Sequence, residues 1–182
     1  MRYLLSTAAP PFSRVLLVES GSRHLYEHLL TRWYNSNPQM QADLVTCFAG
    51  VPDNFRSDRG RAYRVTDYPD AAARKRFYRE LAANHYTVVV ILCSAEPIMT
   101  KWKWMLAVRL PAKLLIVNEN ADYFWFDRGR LAIIWHFVLF RAGLTGAGAI
   151  RTLARLVLFP FTLLYLILYA ATVHLRRKLR TL

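Results

Sequence analysis

Residues 156–175 read LVLFPFTLLYLILYAATVHL, twenty positions without a Lys, Arg, Asp or Glu. As a helix rising 1.5 Å per residue, such a run is about 30 Å long, the thickness of a bilayer's hydrocarbon core. Arg151 and Arg155 precede it, and Arg176, Arg177, Lys178 and Arg180 follow it. Cations on both flanks fit a helix that spans a bilayer, or one that lies along its surface with arginines on anionic headgroups. Pro160 is expected in the first turn, where its missing N–H costs little.

The charge distribution supports this division of the chain. All 12 acidic residues lie between Glu19 and Asp127, beside 18 Lys/Arg, so residues 1–130 carry only +6 of the total +13. The excess positive charge therefore sits around the apolar segment, which sets nucleic acid aside as a partner and points to anionic lipid. At 54% apolar and 20% charged residues, the chain is excluded from the disordered class. MRYLLSTAAPPF has no sufficient apolar run for a signal peptide, so the main domain is expected on the cytoplasmic face of the cell's inner membrane. Leu131–Phe140, with Trp135 within it, is apolar but too short to span and reads as an interfacial helix, or as half of a helical hairpin with the span. Gly143 to Gly148 follows it as a breaker. The expected organisation is a lead over 1–12, a folded domain over 13–130, an interfacial helix and breaker over 131–148, and a membrane helix with a basic tail over 149–182.

Within 13–130, short apolar runs alternate with helical patterns. Arg14–Val18 ends in Glu19-Ser-Gly, as a buried parallel strand meeting a turn does. Ser22 is placed to cap a helix in which Leu25, Leu29 and Trp33 share a face. Asp43–Cys47 and Ala62–Thr66 read as the second and third strands, separated by a Gly/Pro/Asp-rich loop. Asp70 opens a helix with Phe77 and Leu81 inward. Thr87–Leu92 is a central strand, Ile98–Leu110 a helix with Pro97 near its start, and Lys113–Val117 the fifth strand. The expected fold class is α/β, an open parallel Rossmann-like sheet of about five strands in the order 3-2-1-4-5, with a C-terminal membrane helix. In that order Cys47 and Cys93 stand two strands apart, about 9–10 Å, too far for a disulfide, and are expected to be buried thiols.

Ligands of open α/β sheets bind beyond the carboxyl ends of the strands. That edge collects Glu19, Ser20, Gly21, Ser22 and Arg23 after strand one, and Ser94 and Glu96 after strand four. Asn118, Glu119, Asn120 and Asp122 follow strand five. Together these groups suit a hydroxylated or phosphorylated ligand. Glu19 and Glu119 can be read as an acid–base pair, or as residues that cap helices or pair with arginines, the commoner role. No cofactor is expected. The turn ESGSRH lacks G-x-G-x-x-G, Cys47-Phe-Ala stands where a ribose-binding acid belongs, and no Walker A lysine motif occurs. No metal is expected either: His24 and His28 stand at i, i+4 without a third ligand. His136 and His174, in the lipid-proximal helices, can ligate a haem or pigment, though packing is the commoner role. Lys101-Trp-Lys-Trp104 and Tyr123-Phe-Trp-Phe126 combine aromatics with nearby cations, as membrane interfaces do.

Arg14–Val18, Asp43-Leu-Val-Thr46 and the strand from Tyr86 to Cys93 followed by a basic helix resemble the N-terminal, acceptor-side half of GT-B glycosyltransferases of the heptosyltransferase-like group. The resemblance covers about residues 13–125. It implies an acceptor-binding domain that meets the membrane, with the nucleotide sugar held by a second Rossmann-like domain. This chain departs in its first turn, reduced to Glu19-Ser-Gly21, and after Asp127 it turns to the apolar segments where that second domain is expected. The resemblance therefore implies a half that works with a partner in envelope glycan or glycolipid synthesis, with Glu19, Ser22, Arg23, Ser94, Glu96, Asn118 and Glu119 lining the acceptor site. The alternative is a non-catalytic, single-span accessory subunit of a larger membrane complex, respiratory or photosynthetic. A free-standing enzyme has the least support, since no nucleophile–base pair is identifiable.

Overall fold

The computed structural model describes residues 3, 6–94, 96–146 and 148–180, with the backbone alone at 148, 175, 179 and 180. The chain divides into two compact units, one ending at Leu131 and one beginning at Ala132.

The first unit is built on β1 (Arg14–Val18), β2 (Gln41–Thr46), β3 (Ala62–Arg64), β4 (Val88–Cys93), β5 (Lys113–Asn118) and β6 (Tyr123–Trp125). The sheet order is β3-β2-β1-β4-β5-β6. Its first five strands are parallel, in the expected order. β6 extends the expected five-strand sheet and runs antiparallel to β5. It arises from the aromatic segment read above as an interfacial patch: Phe124 is buried in the sheet, and Trp125 packs on the core. Three residues with no alternation of polarity carry no strand signal until a neighbouring edge is there to pair with them.

β4 is buried at all six positions and lies between β1 and β5, as uniformly apolar central strands do. Helix α1 (Arg23–Ser36) covers one face, setting Leu25, Leu29, Leu30 and Trp33 on Val15, Leu17, Leu44, Val88 and Val90. Right-handed crossovers put α2 (Ala71–Ala83) and α3 (Thr100–Arg109) on the other face, where they touch each other. α2 starts as the sequence predicts, with the Asp70 carboxylate accepting from the Ala73 N–H at 2.7 Å. α3 starts two residues later than expected, because Met99 before it adopts a left-handed conformation (φ 50°). Pro97 lies in the approach to the helix, outside its first turn.

The lead is part of the first unit. The Lys113 ammonium takes the carbonyls of Ser6 and Ala8, each at 2.8 Å, and Phe12 packs between Trp33 and Trp125.

The second unit contains helix α4 (Leu131–Arg141, its first residue shared with the first unit) and helix α5 (Gly148–Arg180). Gly143 (φ 68°) ends α4: its N–H reaches the Phe140 carbonyl and the Leu144 N–H the Leu139 carbonyl, a Schellman stop that requires the left-handed residue. α5 begins at Gly148, well before the apolar run. Pro160 is therefore inside the helix, a correction to its expected place in the first turn, and it leaves the Leu156 carbonyl without its usual donor. The Thr162 and Thr172 hydroxyls donate to the helix's own carbonyls of Leu158 and Tyr169. Apolar side chains are exposed all along α5 from Ile150 to Tyr169. Among the described residues it is the one helix long and apolar enough to cross a membrane.

Candidate functional site at the carboxyl edge

The chain leaves β1 through a turn whose first two residues, Glu19 and Ser20, are completely buried. A buried carboxylate needs charge and hydrogen bonds around it. Arg23, one helical turn on, supplies both, with Nε 2.7 Å from Glu19 Oε1 and Nη2 3.3 Å from Oε2. The Thr46 hydroxyl, at the end of β2, donates to Glu19 Oε2 and accepts from the Phe48 N–H at 2.9 Å. Arg23 also donates to the Ala49 carbonyl at 3.0 Å and lies over the Phe48 ring. Its hydrogen bond to Glu19 raises the guanidinium's pKa above the usual arginine value. This cluster joins β1, α1 and the loop after β2.

Of the two readings offered for Glu19 and Glu119, the geometry gives Glu19 the arginine pairing. Both Glu19 oxygens are engaged from α1 and β2, whereas Glu119 is exposed on the loop after β5, with β4 between the two strands. Asn118 and Asn120 serve that loop: Asn118 Oδ1 accepts from the N–H groups of Asn120 at 3.0 Å and Asp122 at 2.9 Å, closing the β5–β6 turn. Ser22 is at the N-cap of α1, but its hydroxyl makes no cap bond and donates instead to Glu96 Oε1 at 2.9 Å. Of the expected site residues, the structure thus groups Glu19 with Arg23, Ser22 with Glu96, and Ser20 and Gly21 with the end of β4.

That last grouping is the tightest. Ser20 Oγ donates to the Leu92 carbonyl at 2.8 Å. A Cβ added to Gly21 would lie 2.5 Å from Ser94 Oγ and 3.2 Å from Leu92 Cβ, so a larger residue would force the Ser94 side chain to shift. Among the described residues, the buried Ser94 Oγ has no hydrogen-bond partner. Lys103, which the sequence reading did not place here, reaches the same point: its ammonium donates to the Leu92 carbonyl at 3.2 Å, and the residue is 5% exposed. Among the described residues, no carboxylate lies within ion-pair distance of Lys103. The signal that could have found it is helical phase, since Lys103, Leu106, Ala107 and Leu110 stand at i, i+3, i+4 and i+7 and are all buried. A buried ammonium whose hydrogen-bond partner, among the described residues, is a carbonyl oxygen is a group that an anion completes.

The remaining candidates fall elsewhere. His24 and His28 are exposed on α1, and no group of three or more His, Cys, Asp or Glu with metal-binding geometry occurs among the described residues. Cys47 and Cys93 are not disulfide-bonded. Cys93 is buried as expected, but Cys47 is only half-buried because it stands just past β2, and partial burial still raises its thiol pKa. On the second unit, Trp135, His136, Arg151, Arg155, His174, Arg176, Arg177 and Lys178 are exposed. The Arg180 side chain lies outside the described residues. The chain matches no family model, no curated protein and no solved structure.

Proposed function

We propose that the chain is a membrane-tethered, acceptor-side α/β domain that works with a partner in envelope glycan or glycolipid synthesis at the cytoplasmic face of the membrane. The observation that carries this reading is the carboxyl edge of β4 where, among the described residues, the buried Lys103 ammonium bonds the Leu92 carbonyl with no carboxylate in ion-pair distance, and Ser94 Oγ has no hydrogen-bond partner. That edge suits the phosphate and hydroxyl groups of a lipid-linked acceptor. The open, mostly parallel sheet is the fold class this reading requires, and the length of α5 supports a tether. Glu19 and Arg23 then hold the β1 turn in place, and Ser22 and Glu96 form the rim.

The test is to isolate the full chain from its native membranes in mild detergent and assay transfer of a labelled sugar from nucleotide sugars to lipid acceptors. The expected result is a stoichiometric partner with a nucleotide-sugar domain, whose transfer falls in Lys103→Met and Ser94→Ala chains. Undiminished transfer with both variants would sink the proposal. A second reading, a non-catalytic accessory subunit, is favoured by one observation: the Glu19 carboxylate is fully engaged by Arg23 and Thr46. It predicts a large, coloured assembly without transferase activity.

A further inference from the structure

α3 inverts the usual distribution of side chains on a surface helix. Its inward stripe contains a lysine, while its outward stripe, Lys101, Trp104, Met105 and Val108 at i, i+3, i+4 and i+7, is exposed and, after Lys101, apolar. Val108 is 55% exposed and Trp104 39%. Beside this stripe, α2 and α3 enclose a groove of about 560 Å³ lined by Arg74, Lys75, Lys101 and Arg109, with no acidic residue on its walls. None of these four cations has an ion-pair partner among the described residues. Arg109 is held instead over the Tyr78 ring, 4.7 Å from its centre.

We infer that this α2–α3 face is a docking surface for the anionic headgroups of a bilayer, separate from α5 and from the carboxyl edge. Two features select a lipid surface. Cations flanking exposed Trp, Met and Val form the pattern of interfacial helices, whose aromatics sit at headgroup depth while the cations meet phosphate. The same chain also carries a helix apolar enough to cross a membrane, which brings a bilayer within reach of the domain. The four groove cations supply attraction on the order of fivefold in partitioning per residue near an anionic surface, and Trp104 and Val108 add apolar burial.

The test uses the full chain reconstituted in vesicles, with an environment-sensitive NBD label on Val108→Cys in a Cys47→Ser background. Cys93 is buried and escapes labelling. Emission is expected to shift to the blue in vesicles containing phosphatidylglycerol, but not in phosphatidylcholine alone, and to revert at high salt. In Arg74→Gln/Lys75→Gln/Lys101→Gln, docking is expected to weaken roughly 100-fold, so the signal returns to its phosphatidylcholine value. These are surface positions, and an unchanged near-ultraviolet circular dichroism spectrum checks that the fold is intact. Equal emission in both vesicle types, or an unchanged signal in the triple variant, overturns the assignment. A shift that appears only when an acidic protein or RNA is added overturns it too, and gives the face to that partner.

Discussion

The Lys113 ammonium and the Asp127 carboxylate lie 2.9 Å apart, with their side chains 1% and 3% exposed. Lys113 opens β5, and Asp127 follows β6 and accepts from the Gly129 N–H at 3.0 Å. The pair thus fixes the end of the sheet, while the remaining ammonium hydrogens hold Ser6 and Ala8. Trp125 stands 5.4 Å from the same nitrogen.

Removing one member of this pair leaves the other buried and uncompensated. Asp127→Ala or Lys113→Met is expected to cost about 3–5 kcal/mol, whereas the double change to Met and Leu recovers most of the loss. Urea titrations followed by tryptophan emission measure both. A single-variant cost below about 1 kcal/mol would show that water reaches the pair.

Lys103 is expected to behave in the opposite way. With a carbonyl as its hydrogen-bond partner and, among the described residues, no acid within ion-pair distance, its replacement by the similarly shaped Met is expected to stabilise the fold by about 1 kcal/mol, a rise of roughly 2–4 °C in Tm for a chain of this size. A lowered Tm would mean that the ammonium is a structural pillar and not a group held for a ligand.

Gly21→Ala forces a methyl group against Ser94 Oγ and is expected to cost about 1–3 kcal/mol. Ser94→Ala in the same chain removes the clashing oxygen, so the two changes combine with a smaller loss than their sum. Strict additivity in thermal melts would place the strain elsewhere.

Burial raises the pKa of the Tyr26 and Tyr86 phenols, and for Tyr86 the neighbouring Asp43 carboxylate raises it further. A phenol whose folded pKa exceeds its unfolded value of about 10 contributes stability that is complete below pH 10 and is lost as pH rises beyond it. The fold is therefore expected to weaken steadily above pH 10, and Tyr86→Phe to make that alkaline decline shallower. Denaturant midpoints collected between pH 8 and 12 decide this.

In α5, Leu166 is exposed near the middle of the apolar run. Leu166→Arg is expected to raise the cost of insertion by about 2.5–3.5 kcal/mol, and to move the chain from the carbonate-resistant to the extractable membrane fraction. Retention of the variant in the membrane pellet would indicate a surface-lying helix.

The residues differ in how much of their role the sequence discloses. β4 was legible because six apolar, mostly β-branched residues between polar turns have one stable place, the middle of a parallel sheet. α2 was legible because Asp70 marks its start and Phe77 and Leu81 share its inner face. The apolar run within α5 was legible because length and lack of charge are properties of the chain alone. β6 and the start of α3 were not: Tyr123–Trp125 becomes a strand only when the edge of β5 is offered to it, and Met99 takes its left-handed conformation in the assembled turn.

For the site, the sequence by itself determined which turns meet at the carboxyl edge, since strand order and the parallel direction follow from short crossovers of one hand. Only the tertiary structure decided which of the polar groups there are already engaged. Glu19 is held by Arg23 and Thr46, Asn118 closes its own turn, and Lys103 reaches the end of β4 from a helix eleven residues away from the carbonyl it bonds. Local periodicity reports which face a residue occupies. A hydrogen bond or an uncompensated charge depends on atoms brought together across the sheet, and those distances exist only once the chain has packed.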